Sequence, residues 1–242
     1  MDKIYVVYWS QTGNTQAMAE AIGKGITAAG KEAVVVSVEN ISADELKEAN
    51  KFALGCPAMG AENLLIEYCA PTLAGIKTAN LFTYHFSSEG VVLEELKTIN
   101  LKLNMRGVFA VVLLWREYSA LIYVYRKTKL ENELKSEGVM SLLSKYGYID
   151  NSVENSLKYL MKRLEYYECF PHEIGVFLGY PLTDVIGFIN HKGKNCKLCG
   201  FWKVYSNECE AQKLFEKLKK CTNIYLRLFA EGRSITQMTV AG

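Results

Sequence analysis

The sequence predicts an α/β protein. Its first part is a doubly wound parallel-sheet segment, β-α-β-α-β, and its second is a mixed α+β, helix-rich region with a β-hairpin. Three observations carry this reading. Residues 4–8 (Ile-Tyr-Val-Val-Tyr) form a short continuous apolar run, the pattern of a strand covered on both faces. Strand-like and helix-like stretches then alternate as far as Cys56. Beyond Glu62 the alternation becomes irregular, and two apolar runs within 108–125 read as a hairpin.

In order along the chain, the run 4–8 gives way to small polar residues from Ser10 to Thr15. A helix is expected over 14–29, with Ala17, Met18, Ala21, Ile22, Gly25, Ile26 and Ala29 as its apolar stripe. Gly30 stands at the position that ends helices. The valine-dense stretch 33–38 is a second strand, Ser42 to Glu45 has capping-box spacing for a short helix, and 52–56 is a third strand. Further on, helices are expected over 89–102, 132–145, 153–168 and 208–231, and a strand over 201–205. The helix at 153–168 lines up Val153, Leu157, Leu160, Met161, Leu164 and Tyr167. That at 208–231 lines up Ala211, Leu214, Phe215, Leu218, Cys221, Tyr225 and Leu228. Three parallel strands in the first part leave an edge that needs cover, and the 107–125 hairpin or another segment is expected to supply it.

Composition narrows the function classes. The chain has 242 residues, 50% hydrophobic and 22% charged, enough for one large or two small domains. With only 4 prolines there is no visible linker. No run of eighteen apolar residues exists, so no membrane span is expected. The start at Met1-Asp2-Lys3 reads as lacking a signal peptide, and the 7 cysteines then read as reduced thiols in a cytoplasmic protein. Residues 1–62 hold eight acidic and five basic side chains, whereas 63–242 hold eighteen and twenty-three. The sign change suggests two parts, 1–62 and 63–242. The excess is too small and too scattered to indicate nucleic-acid binding.

The loop after the first strand carries the clearest chemistry. A phosphomonoester is a dianion with several acceptor oxygens, and a helix N-terminus offers unpaired N–H groups and partial positive charge. Ser10, Thr12, Asn14 and Thr15 add side-chain donors without net charge, and Gly13 permits close backbone approach. The loop contains no lysine, which argues against a nucleotide-hydrolysing P-loop. A polar strand-to-helix turn with a good cap is the ordinary reading of such a stretch.

The string Tyr8-Trp9-Ser10-Gln11-Thr12-Gly13-Asn14-Thr15 resembles the phosphate loop of short-chain flavodoxins. The continuation Met18-Ala19-Glu20 and the segment Leu54-Gly55-Cys56-Pro57-Ala58-Met59-Gly60 also resemble that family at matching spacing. The resemblance covers residues 1 to about 62. It implies a flavodoxin-like fold there and FMN as cofactor, with Ser10, Gln11, Thr12, Gly13, Asn14 and Thr15 around the phosphate. Pro57, Ala58, Met59 and Gly60 would form the first flavin loop, with the Met59 thioether against the ring. Gly60 would let its peptide turn when flavin N5 gains a proton, and Glu62 falls where the family places a carboxylate near flavin N3. Ala61 replaces the usual acidic neighbour. The family's fourth strand and aromatic second flavin loop are not found after Glu62. Trp115 and Tyr118, in the hairpin turn, are candidates to replace that aromatic cover.

The remainder, about 64–242, resembles an uncharacterised bacterial domain-of-unknown-function family. The matching stretches are Tyr68 to Lys77 with Asn80 to Phe82, Phe170 to Gly175 with Leu178 to Pro181, and Cys199 to Tyr205. No activity comes with that resemblance; its members keep company with flavodoxins and iron handling, which is association alone. The abrupt join near Gly60 fits a fusion or an internal deletion. Within this part, Cys196 and Cys199 have C-x-x-C spacing, open to a redox dithiol, half a metal site or plain structural thiols. No metal site is assigned. His172 and Glu173 precede an apolar stretch read as a strand. They are either a satisfied structural pair or a binding or catalytic group with Lys77 and Lys203 as anion partners.

The whole reads as an FMN-binding electron carrier, more a carrier than a catalyst, fused to a domain of unknown function. It would exchange electrons with a partner redox protein and bind neither nucleic acid nor membrane. The alternative is a truncated flavodoxin remnant that no longer holds FMN tightly. Function would then reside in residues 63–242 as a binding or regulatory role.

Overall fold

Val6 and Val7 are both buried, although neighbours on a strand face opposite ways. The strand that carries them therefore has cover on both faces. In a computed structural model, which describes residues 3–10, 14–55, 61–86, 88–166 and 170–242 (the side chains of Asn14 and Ala61 excepted), that strand is β1, Lys3–Tyr8. The chain divides into two units, Met1–Gly60 and Ala61–Gly242.

In the first unit, β1 is followed by α1 (Asn14–Ala28), β2 (Glu32–Ser37), α2 (Ala43–Lys47) and β3 (Phe52–Gly55). The sheet is parallel with order β2-β1-β3, pairing Tyr8 with Ser37 on one side and with Gly55 on the other. The Ser42 hydroxyl and the Glu45 carboxylate close the expected capping box on α2. The buried face of α1 differs from the expected stripe. Thr15, Ala19 and Gly23 face the sheet, while Met18 and Ile22 are exposed. The reason is close approach: a Cβ on Gly23 would lie 2.4 Å from Val35 Cγ2. A small-residue face lets the helix settle onto the sheet, and bulkier apolar side chains are turned to its flanks.

The second unit begins with α3 (Ala61–Leu73), β4 (Ala79–His85), α4 (Glu89–Leu103), β5 (Val108–Arg116) and β6 (Ser119–Arg126). Helices α5 (Lys127–Leu134), α6 (Glu137–Lys145), α7 (Val153–Tyr166), α8 (Ile174–Phe177) and α9 (Leu182–Asn190) follow. The short strands β7 (Leu198–Cys199) and β8 (Lys203–Val204) come next, then α10 (Glu208–Ala230) and α11 (Ile235–Met238). Its sheet is antiparallel with order β4-β6-β5. The central strand β6 shows why: Ile122 and Val124 enter a core with Leu65, Leu73, Leu103 and Tyr225, while Tyr123 and Tyr125 enter another with Leu130, Leu160 and Phe177. Period-two alternation with both faces apolar makes a sheet between two helical layers.

The expected hairpin is therefore present, as part of the sheet of the second unit. It pairs with β4, and among the described residues β3 has no second neighbour. Three expectations need correction. The helix expected over 132–145 is two helices, broken at Ser136, whose extended backbone starts α6. There Gly138 allows Leu182 to within 2.6 Å of where a Cβ would stand. The stretch after Glu173 is the one-turn helix α8, not a strand. The strand expected over 201–205 reduces to β8. No helix among the described residues is long and apolar enough to cross a membrane.

Candidate functional site

In the first unit the candidate site lies at the carboxyl end of the parallel sheet, where ligands of open α/β sheets bind. Tyr8 pairs with Gly55, and the Trp9 amide donates to the Gly55 carbonyl at 2.9 Å, so β1 and β3 end side by side. The chain leaves them toward the two stretches singled out in the sequence. Ser10 is half-buried just past β1, and Thr15 is buried in the first turn of α1. A Cβ on Gly55 would meet Thr15 Cγ2 at 3.4 Å, an ordinary contact distance, so the start of α1 lies beside the end of β3. Gln11, Thr12, Gly13, Pro57, Ala58, Met59 and Gly60 lie outside the described residues, and Asn14 is described in its backbone alone. Glu62 stands in the first turn of α3, in the second unit, where it accepts from Lys102 Nζ at 2.7 Å.

The second unit holds a cavity of about 390 Å³ between α8, α9 and the β7–β8 hairpin. Its walls come from two of the stretches singled out in the sequence: His172, Ile174, Gly175, Leu178 and Tyr180 from one, Cys199, Trp202 and Lys203 from the other. Asp184 holds the walls together. Its carboxylate accepts from Trp202 Nε1 (2.8 Å), the Tyr205 amide (2.8 Å), and the Ser206 amide (2.9 Å) and hydroxyl (2.8 Å). Sequence reading missed Asp184. The signal was there: a lone acid inside the apolar run 182–189 must find donors if that run is buried.

His172 and Glu173 separate, as sequence neighbours do. His172 is exposed at the cavity, edge-on to Phe188 with ring centroids 5.0 Å apart. Glu173 is fully buried, paired with Arg163 Nε and receiving the Tyr148 hydroxyl at 3.3 Å. Cys199 is exposed and lines the cavity, while Cys196 is half-buried. Among the described residues no three His, Cys, Asp or Glu side chains gather as metal ligands. Trp115 packs edge-on against Phe86 at 5.7 Å, and Tyr118 is exposed in the hairpin turn.

Lys77 is 9% exposed, with its ammonium 5.1 Å from the centroid of the Tyr180 ring, which stacks on Trp202. Burial pushes this ammonium down to about 8, with the neighbouring Cys69 thiol acting in the opposite sense. The unfolded chain keeps a proton on Lys77 that the folded chain loses between pH 8 and the ordinary lysine value of about 10.5, so the contribution of Lys77 to stability rises with pH in that window. Below it the buried charge costs about 3 kcal/mol. Lys77→Met, after losing a cation–π contact of about 1 kcal/mol, is expected to be about 2 kcal/mol more stable than the parent at pH 7. That advantage should vanish near pH 10.5. Urea unfolding of both proteins across this range checks it, since ionisation of groups that do not touch Lys77 cancels in the difference.

Comparison with known proteins finds a flavodoxin likeness and a family of unknown function. A family model described as a protein of unknown function, DUF3793, matches residues 65–239. A flavodoxin from Clostridium beijerinckii is 41% identical over 86 residues, covering 33% of this chain and 62% of its own length. One from Megasphaera elsdenii is 37% identical over 92 residues, covering 35% of this chain and 67% of its own. The chain thus spans roughly two thirds of the length of these curated relatives. A putative diflavin flavoprotein A 3 from Synechocystis is 38% identical over 61 residues, covering 10% of that protein. No solved structure matches. Outside 65–239 the chain has 64 residues before and three after, so a match covering 33% of it runs into the second region. The flavodoxin likeness is therefore longer than the first 62 residues.

Proposed function

For a chain that belongs to the DUF3793 family of proteins of unknown function and opens with a flavodoxin-like segment, we propose that the segment binds FMN and serves as an electron carrier. The observation that supports this most is the adjacent ending of β1 and β3, Tyr8 beside Gly55. It sends the phosphate-loop stretch and the 57–60 stretch out from neighbouring strands.

The residues fit the phosphate half of FMN. In sequence, Ser10, Thr12, Asn14 and Thr15 are an uncharged donor set around the position where α1 begins. On the ring side, the sheet among the described residues ends at β3, so a wall from a fourth parallel strand is missing from this unit. FMN when bound supplies one- or two-electron chemistry. The chain's own part is to hold the phosphate at the helix start and set the ring against residues 57–60. Electrons would pass to or from a partner redox protein.

The test is titration of the full chain with FMN and with riboflavin, followed by flavin absorbance. FMN is expected to bind. Ser10→Ala should weaken FMN by about 10–100-fold, the loss of one hydrogen bond to a charged group, and leave riboflavin unchanged. A protein that takes up no flavin sinks the proposal. The cavity of the second unit favours a second reading in that event, in which the 63–242 region carries a binding role.

A further inference from the structure

We propose that the cavity between α8, α9 and the β7–β8 hairpin is a binding site for a compact aromatic carboxylate, seated between Phe188 and Trp202 with its acid group at Lys203 and His172. The inference stands apart from flavin binding by the first unit. It rests on shape, wall chemistry and the sign of the charge.

The volume of about 390 Å³ lies within the range of small-molecule sites, about 300–1,000 Å³. The walls are apolar and aromatic, with a few polar groups converging on them, as ligand sites are built. Tyr180 stacked on Trp202 at 5.1 Å makes one flat wall. Trp202 is itself wedged edge-on by Phe215 at 4.5 Å, so the wall is fixed before any ligand arrives.

The charge sign follows from which groups are already committed. Among the described residues Asp184 is the one carboxylate on the lining, and it is engaged at both oxygens: Oδ1 accepts from the Tyr205 amide and from the Ser206 amide and hydroxyl, and Oδ2 accepts from Trp202 Nε1. Lys203 Nζ donates to the Gly193 carbonyl at 2.6 Å and lies 5.8 Å from the centroid of the Phe188 ring. An ammonium has three donors, so two remain. Among the described residues the His172 ring nitrogens make no hydrogen bond, and His172 shares the Phe188 ring with Lys203. Two donor side chains beside one aromatic ring, with the lining carboxylate Asp184 already engaged by Trp202, Tyr205 and Ser206, select an anion carried on an apolar plane.

Cys199 reports on occupancy, because it is exposed and on the lining, whereas Cys209 is exposed on α10 and off it. The experiment is alkylation of the full-length protein with N-ethylmaleimide, mapped by mass spectrometry, with and without indole-3-acetate. Indole-3-acetate is expected to slow Cys199 at least tenfold in a saturable way and leave Cys209 unchanged. Uncharged indole should protect at least tenfold more weakly. Lys203→Met should remove that difference while leaving the rate at Cys209, and protection by indole, as in the parent. His172→Gln, at an exposed position, should weaken indole-3-acetate in the same direction. No protection at millimolar indole-3-acetate overturns the proposal. Equal protection by indole overturns the acid contact, and better protection by decanoate overturns the aromatic assignment.

Discussion

Asp184→Ala should lower the stability of the second unit by about 4 kcal/mol, at the upper end of single-residue effects. The carboxylate is buried, and four donors converge on it from a segment about twenty residues away. Its removal leaves the Trp202 indole N–H buried without a partner and frees the 205–206 backbone from α9. Each such orphaned donor costs about 1–3 kcal/mol. Asp184→Asn keeps one acceptor oxygen but turns an amide N–H₂ toward the remaining donors, so roughly half the loss is expected. The pH dependence has a definite sign. Burial pushes the Asp184 carboxyl up, but its hydrogen bonds to Tyr205, Trp202 and Ser206 outweigh this and hold it below the usual aspartate range. Its contribution is therefore complete above about pH 4 and is lost as pH falls through the lower folded value. Urea unfolding followed by tryptophan fluorescence measures both effects. A loss below about 1 kcal/mol for Asp184→Ala would mean that the hairpin is held by packing alone.

What the sequence made legible follows from how local the cause was. The hairpin of β5 and β6 was readable because its apolar runs are paired across a short turn. The stripes of α7 and α10 were readable because Leu157, Leu160 and Leu164, or Leu218, Cys221 and Tyr225, recur at helical spacing and face the core. The string from Tyr8 to Thr15 was readable as a flavodoxin likeness because its residues are contiguous in the sequence. The face of α1 was misjudged because large apolar side chains were taken as the buried ones. The sheet instead accepts Ala19 and Gly23, and nothing in the helix alone says so. Strand β4 went unseen because its partner β6 lies some forty residues on. The cavity was half legible. His172, Lys203 and Cys199 stood out as chemistry-bearing residues, but what brings them to one place is the Asp184 clamp. That clamp is a tertiary fact with a one-residue signature.

Glu173→Ala should be as damaging as the loss of Asp184, for a different reason. Glu173 is 0% exposed, and its partner Arg163 is half-buried, with 12% of its side chain exposed. The Tyr148 hydroxyl reaches the same oxygen, Oε1, while Oε2 has no hydrogen-bond partner among the described residues. The carboxylate is thus under-satisfied, and the guanidinium, 5.3 Å from the Tyr146 ring centroid, pairs with it away from water. Removing one partner of such a pair strands the other charge in a poor solvent, at a cost of about 3–5 kcal/mol. Removing both need not. The double variant Glu173→Leu with Arg163→Met replaces two desolvated charges by apolar volume and should recover most of that loss, or exceed the parent. The expected ordering in urea unfolding is therefore Glu173→Ala least stable, then the double variant close to the parent. A surface ion pair would behave otherwise, costing less than about 1 kcal/mol and weakening in high salt. If the single variants Glu173→Leu and Arg163→Met and their double variant prove additive, the pair is not coupled and the buried-charge account fails. The same series separates Glu173 from His172. His172→Gln should leave stability within about 0.5 kcal/mol, because its ring is exposed at the cavity while the carboxylate beside it in sequence belongs to the core.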